Sequence, residues 1–131
     1  MAKEHLQHGC RLWRCCIMVD AFGAFGLVVR FELRDGHEEA FDTLTAETVA
    51  SIRASEPGTL IYLTHTERES PGVRVFYELY RDEAAFQSHE ETEHVRHFLA
   101  ERKQHLRHDP QVWWVTPRSG VVRPEASPGG A

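Results

Sequence analysis

The stretch from Arg74 to Phe98, RVFYELYRDEAAFQSHEETEHVRHF, decides the fold of this chain. Its first seven residues alternate in an extended pattern rich in aromatic and β-branched side chains, which predicts a strand. One face would carry Val75, Tyr77 and Leu79, and the other Arg74, Phe76, Glu78 and Tyr80. The alternation ends at Arg81-Asp82. A short helical turn is predicted at 84–86, and a second helix from about Glu91.

Two further elements are predicted on the N-terminal side of this stretch. Residues 25–33 alternate in the same way and form a first strand. Residues 37–55 have apolar side chains three and four positions apart, the pattern of an amphipathic helix, with a stripe formed by Phe41, Leu44, Thr48 and Ile52. We expect Asp35 to cap this helix, with Glu38 completing a capping box. Pro57-Gly58 cannot continue the helix, and a second strand follows over 59–66.

A turn and two closing elements complete the pattern. Residues 69–72, ESPG, are typical of a turn, so the second and third strands are predicted to form a hairpin. The last helix is predicted over 91–107, with an apolar face of Val95, Phe98, Leu99 and Leu106, and Asp109-Pro110 ends it. A short strand follows at 111–116. The resulting order is that of an α+β, ferredoxin-like βαββαβ fold with an antiparallel sheet.

Three short motifs resemble the antibiotic biosynthesis monooxygenase family. They are YExY at 77–80, AxFxxH at 84–89 with a further histidine at 94, and EPGTLIY at 56–62. The resemblance covers roughly residues 25–115 and implies a ferredoxin-like domain that pairs as a dimeric α+β barrel. Members of that family oxidise quinols, anthrones and related polycyclic phenols with O2, and they need neither a flavin nor a metal.

Length and composition fit one ordinary globular domain. The chain has 131 residues, of which 41% are hydrophobic and 27% charged, with a formal net charge of −5. We predict a domain at 21–116, with a flexible extension at 1–20 and a flexible Pro- and Gly-rich tail at 117–131. The interspersed charges argue against a nucleic-acid partner, and no apolar run approaches the ~20 residues of a membrane span. The three cysteines, clustered at 10, 15 and 16, favour a cytoplasmic location over a disulfide framework.

The strands carry apolar residues on both faces, as Val28 beside Val29 and Phe76 beside Tyr77 illustrate. Two helices can cover only one face of a four-stranded sheet, so the other face needs a second cover. A second copy of the chain is the obvious source. The sequence therefore predicts a homodimer through the sheet face, in agreement with what the resemblance implies.

His89 is the first candidate for a catalytic residue. It is predicted at a loop or helix start just after the third strand, and members of the resembled family often have a histidine at the matching position. Imidazole can accept a proton from a phenol or quinol near neutral pH. The alternative is a structural histidine that caps the local turn or bonds Glu78.

Glu78 and Tyr77 are the other catalytic candidates, on the strand that leads to His89. A carboxylate among aromatic side chains needs a partner, so Glu78 either pairs with Arg74 or Arg30 across the dimer or acts as a pocket acid. We predict a pocket for a small aromatic substrate and O2, lined by Tyr62, Phe76, Phe86, His94 and Phe98. For the aromatic residues, the alternative is a plain core.

The histidines do not complete a recognised metal motif. His89 and His94 are five residues apart, whereas the HExxH zinc motif places its histidines four apart on one helical face. On a continuous helix, one stripe would hold His94, His97, Glu101, His105 and His108. This stripe is either a zinc or nickel site or a solvated helix edge. We predict no metal and no other cofactor.

The expected function is that of a cofactor-independent monooxygenase with a dry aromatic pocket and His89 as its base. The chain has no asparagine, and its tryptophans are at 13, 113 and 114. The Asn-Trp-Tyr-Arg set of some oxygenating family members therefore has no equivalent here. Two alternatives remain: a non-catalytic small-molecule-binding dimer of the same fold, and a haem-degrading monooxygenase with His97 as the axial ligand.

Overall fold

The computed structural model describes residues 23–123. Its strands, in which apolar and polar residues alternate, form a four-stranded antiparallel sheet. In chain order the elements are β1 (Phe25–Glu32), α1 (Glu38–Ser55), β2 (Thr59–Glu67), β3 (Ser70–Tyr80), α2 (Glu83–Glu91), α3 (Glu93–Glu101), a short 3-10 helix (Arg102–His105) and β4 (Gln111–Val115). The strand order is β2-β3-β1-β4. This arrangement confirms the ferredoxin-like α+β fold. The predictions for residues 1–20 and for the end of the chain fall outside the described residues.

The register of the strands assigns each side chain to a face. One row across the sheet contains Tyr62, Glu78, Leu27 and Trp114, and the neighbouring row contains Leu63, Tyr77, Val28 and Trp113. Because consecutive residues of a strand point to opposite faces, these two rows lie on opposite sides of the sheet. The first row lies under the helices, and the second belongs to the face that no described helix covers.

The core lies between the sheet and the helices and is built around aromatic rings. Phe31 is 1% exposed, and its ring centroid lies 4.6 Å from that of Phe76 and 5.2 Å from that of Phe41. The predicted apolar stripe of α1 is confirmed, since all four of its residues are buried. The predicted face of the last helix is confirmed for Val95, Phe98 and Leu106, which are buried, and Leu99 is half-buried.

Three predicted boundaries are wrong. The first concerns Asp35, which does not cap α1. Gly36 turns the chain with a φ of +81°, so His37 is the residue that precedes the helix. Asp35 instead accepts a hydrogen bond from Arg107. The turn between β2 and β3 is formed by residues 68 and 69, and Pro71-Gly72 lie within the first residues of β3.

The third wrong boundary concerns the last helix, which is not one element over 91–107. It is interrupted at Thr92, whose extended backbone ends α2 and caps α3. A fourth difference is the short turn predicted at 84–86, which is in fact a nine-residue helix. The side chain of Asp82 caps its start by accepting a hydrogen bond from the Ala85 N–H at 2.8 Å. None of the helices in residues 23–123 is long and apolar enough to cross a membrane.

The buried hydroxyl of Thr45 makes no hydrogen bond within the described part of the chain. A buried polar group without a partner costs about 1–3 kcal/mol. We therefore expect Thr45→Val, which keeps the shape, to raise the free energy of unfolding by about 1 kcal/mol in urea titrations. Thr48→Val is the matched control, because the hydroxyl of Thr48 donates to the Leu44 carbonyl at 2.9 Å. Equal stabilisation by both substitutions would contradict the prediction.

Candidate functional site

His89 lies in the last turn of α2, and its side chain is 4% exposed. The prediction of a loop or helix start is wrong, because α2 continues through His89. The histidine ring is surrounded by aromatic rings, with centroids 5.0 Å away for Tyr80, 5.7 Å for Tyr62 and 6.4 Å for Phe86. His89 therefore presents an imidazole ring to a largely aromatic environment.

A cavity of about 190 Å³ lies between the sheet and the helices beside His89. Five of the predicted site residues line this cavity: Tyr62, Glu78, Phe86, His89 and Phe98. Phe76 lies instead in the core and is 1% exposed, and Tyr77 lies on the opposite face of the sheet. His94 does not line this cavity. Both His94 and His89 bond the same carboxylate, that of Glu56. The structure thus brings together five of the eight predicted site residues.

Glu78 projects from β3 into this cavity and is 6% exposed. Its carboxylate accepts a hydrogen bond from the Tyr80 hydroxyl at 2.5 Å. Burial raises the pKa of Glu78 to about 7, although the bond from Tyr80 acts in the opposite direction. Burial also raises the pKa of Tyr80, so its hydroxyl keeps the proton that it donates. Glu78 is therefore a carboxyl group that changes its protonation state near neutral pH.

Within residues 23–123, neither of the two arginines considered as partners of Glu78 bonds it, and a pair across the dimer stays a prediction. Arg74 donates to both carboxylate oxygens of Asp42 on α1, at 2.8 and 3.0 Å. Arg30 lies on the other face of the sheet, where it bonds Glu32 and Glu67. The alternative in which His89 bonds Glu78 is wrong, since the Nδ1 atom of His89 bonds Glu56 at 2.7 Å.

Glu56 is a site residue that the sequence analysis missed. It directly follows α1, and its side chain turns inward and is 7% exposed. The carboxylate accepts hydrogen bonds from the Thr59 hydroxyl at 2.6 Å, from His89 and from the Nε2 atom of His94. Burial acts to raise the pKa of Glu56, but these three bonds outweigh it and hold the pKa below its ordinary value. Glu56 is therefore held as a charged group.

The short loop after Glu56 allows α2 to approach closely. A Cβ atom on Gly58 would lie 2.8 Å from the Cβ of Ala85, which is closer than such atoms come to each other. Glycine at this position therefore lets the start of β2 pack directly against α2, the helix that carries His89. The Pro57-Gly58 pair was visible in the sequence, but it indicated only a turn.

Arg102 is the second residue that the sequence analysis missed. It lines the same cavity, and its guanidinium lies 5.6 Å from the ring centroid of Phe31 and 5.8 Å from that of Phe98. Stacking on aromatic faces suits arginine, because its planar cation is weakly hydrated. Burial lowers the pKa of Arg102, yet an arginine keeps its charge in proteins. A cation is thus available in the cavity for an anionic ligand.

The predicted stripe of histidines does not converge on one point. His94 bonds Glu56, His105 bonds the Nδ1 atom of His37 at 3.0 Å, and His108 lies 3.3 Å from Glu32. The stripe assumed a continuous helix, whereas α3 ends at Glu101 and a tighter 3-10 turn follows. No group of three or more potential metal ligands was found within residues 23–123.

Comparison with known proteins gives one family. The model of the family described as antibiotic biosynthesis monooxygenase matches residues 24–101. Among solved structures, the protein PA3566 of Pseudomonas aeruginosa is 26% identical with a TM-score of 0.67, over 74% of this chain and 96% of that one. A structure described as an antibiotic biosynthesis monooxygenase is 25% identical with a TM-score of 0.67, over 72% and 99% of the two chains. Rv0793 of Mycobacterium tuberculosis is 22% identical with a TM-score of 0.69, over 74% and 97%. A search of curated protein sequences finds no match.

The raised pKa of Glu78 predicts how the stability of the protein depends on pH. The folded protein holds this proton up to about pH 7, whereas an unfolded glutamate loses it near 4.5. The free energy of unfolding should therefore fall as the pH rises from about 4.5 to above 7, by up to about 3 kcal/mol from this group. Glu78→Gln removes this dependence and should be more stable than the wild type at pH 8.

Chemical denaturation at pH 5 and pH 8 tests this prediction, with Glu93→Gln as the control because Glu93 is exposed on α3. The stability gain of Glu78→Gln should be larger at pH 8 than at pH 5. A gain that is the same at both pH values would show that Glu78 does not titrate in this range.

Proposed function

This chain belongs to the antibiotic biosynthesis monooxygenase family, and on that premise we propose that it is a cofactor-independent monooxygenase that oxidises a quinol or related phenol with O2. One observation carries the proposal: the ring of His89, held by a buried carboxylate, forms part of the wall of an aromatic cavity. That arrangement offers a proton acceptor to a flat phenolic ligand in a site lined mainly by apolar side chains. The predicted cytoplasmic location stays a prediction.

Several polar groups of the cavity have a place in this chemistry. His89 accepts the phenolic proton, and the resulting phenolate is electron-rich enough to pass an electron to O2 directly. Arg102 provides the positive charge that stabilises the anion in the cavity. Glu78, with a pKa of about 7, donates or accepts a hydrogen bond to the ligand according to its protonation state. Tyr62 and Phe86 flank the ligand ring.

The size of the cavity favours a small substrate. An apolar cavity of about 150 Å³ accommodates benzene, and the cavity beside His89 has a volume of about 190 Å³. A single aromatic ring with two hydroxyl groups fits such a space, whereas a three-ring anthrone would extend beyond it. Within the substrate class that we propose, a one-ring quinol is therefore favoured over a polycyclic phenol.

We also propose that the protein forms a homodimer through the uncovered face of the sheet. The row Leu63, Tyr77, Val28 and Trp113 crosses all four strands on this face. Leu63 is 54% exposed and Trp113 is 49% exposed, which is costly for apolar side chains in water. A second copy can cover this continuous row by a symmetric sheet-on-sheet contact.

Oxygen uptake by the purified, metal-free protein tests the proposed reaction. With a panel of one-ring hydroquinones and anthrones, we expect uptake above the spontaneous rate, and higher rates for the one-ring compounds. His89→Gln should lower kcat by a factor of about 10² or more, because general-base catalysis contributes 10²- to 10⁴-fold. His97→Gln is the control, since His97 is exposed on α3 and does not line the cavity.

Two results would contradict the proposed function. No uptake with any phenol would favour a non-catalytic binding dimer of the same fold. Uptake that is equal in the wild type and in His89→Gln would remove His89 from the chemistry.

Sedimentation equilibrium tests the proposed dimer. The wild type should have twice the 15.1 kDa mass of the chain. The double substitution Leu63→Asp and Trp113→Asp places charges in the apolar row and should yield a folded monomer. Val121→Asp is the control, because Val121 is 70% exposed and follows β4 outside this row. A monomeric wild type, or a dimer that survives the double substitution, would contradict the proposal.

A further inference from the structure

The carboxylate of Glu56, behind His89, joins the end of α1 to two helices that lie 33 and 38 residues further along the chain at the bonded histidines. Glu56 follows α1, His89 lies in the last turn of α2, and His94 lies in the first turn of α3. Glu56 bonds His89 through Oε1 and His94 through Oε2, and Thr59 at the start of β2 donates to Oε1. The side chain exposures are 4% for His89, 7% for Glu56 and 19% for His94. The carboxylate is therefore fixed by donors on both of its oxygens.

This bond pattern determines which nitrogen of His89 is free. A carboxylate accepts hydrogen bonds and cannot donate them, so the proton of a neutral His89 ring must sit on Nδ1. The Nε2 atom then keeps its lone pair, and it bonds no residue within 23–123. A neutral histidine can accept a ligand proton only on its unprotonated nitrogen. The tautomer imposed by Glu56 is thus the one that leaves Nε2 available to a ligand.

We propose that Glu56 is the positioning residue of the site: it holds His89 as the Nδ1–H tautomer and stabilises the imidazolium that forms when Nε2 accepts the substrate proton. The phenolic O–H bond breaks, the proton moves to Nε2, and the new positive charge lies 2.7 Å from the carboxylate, measured from Nδ1 to Oε1. Glu56 itself is not protonated in this step. This inference rests on the proposed function and extends it to a residue that does not touch the substrate.

Thr59 and His94 support this role by preventing rotation of the carboxylate. Without them, one oxygen of Glu56 would be free to turn towards water and the bond to His89 would loosen. Oriented partners of this kind fix ring tautomers in catalytic and metal-binding histidines alike. The other charged and titratable groups near His89 are Tyr62, Glu78, Tyr80, Arg81, Glu90 and Arg102. None of them bonds a ring nitrogen of His89 within residues 23–123.

Nuclear magnetic resonance of the ring nitrogens tests the inference without reference to any substrate. In the full-length protein, two-bond proton–nitrogen spectra should show His89 with its proton on Nδ1 at a pH where the ring is neutral. Glu56→Gln offers either an oxygen or an N–H group to Nδ1, so we expect both tautomers of His89 in this variant. The exposed ring of His97 is the internal reference and should not change. A wild-type spectrum with the proton on Nε2 would overturn the inference, whether or not any variant folds.

Kinetics with the best quinol then separates a positioning role from a structural one. We expect Glu56→Gln to lower kcat at least tenfold with KM changed less than twofold, and Glu56→Asp to recover part of the loss. Glu93→Gln, an equal loss of charge at an exposed position, should leave both constants unchanged. Loss of activity in His89→Gln but not in Glu56→Gln would overturn this inference and leave the proposed function standing. If no quinol is oxidised, the proposed function fails, and the tautomer of His89 alone decides the inference.

Discussion

A buried negative charge must be matched by hydrogen-bond donors, and this constraint at Glu56 organises the helical side of the molecule. The carboxylate gathers a hydroxyl from β2 and imidazoles from α2 and α3. An uncompensated carboxylate at this depth would be far less stable than one in water. The break between α2 and α3 at Thr92 is part of the same arrangement, since it directs His89 and His94 towards one carboxylate. A single straight helix would direct two residues five positions apart to different sides.

The sheet imposes the second constraint, because adjacent residues on a strand serve opposite faces. Tyr77 and Glu78 are neighbours in the chain, yet Glu78 lines the cavity and Tyr77 belongs to the apolar row on the uncovered face. The side chains on the two faces can therefore have separate functions. No residue of the apolar row lines the cavity, and no cavity residue belongs to the row.

Most of the fold could be predicted from the sequence, because its causes are local. The alternation in β1 and β3 and the stripe of α1 depend on residues within one element, and their buried positions agree with the predictions. The errors arise where one residue changes the geometry: Gly36 shifts the start of α1, and Thr92 divides the last helix. The site was predicted only in part for a different reason. Glu56 and His89 are 33 residues apart, and no local pattern indicates that their side chains meet. Arg102 follows Phe98 by four residues and Leu99 by three, so helical spacing places it beside the apolar face of the last helix, yet nothing in the sequence indicates that a cavity lies there.

The site contains two buried carboxyl groups whose environments shift their pKa values in opposite directions. Glu56 accepts three hydrogen bonds, and its pKa is held below the ordinary value. Glu78 accepts one hydrogen bond, from Tyr80, and burial raises its pKa to about 7. When neighbouring acids are separated in this way, one stays charged while the other exchanges its proton near neutral pH, and they can take different roles. A permanent charge suits a residue that orients a histidine, because its attraction for the imidazolium is constant. A group with a pKa of about 7 suits direct contact with a phenol, because it can serve as a donor before proton transfer and as an acceptor after it. The difference between the two carboxyl groups follows from the desolvation of each and from the number of donors around it, and both are fixed by the fold before any ligand binds.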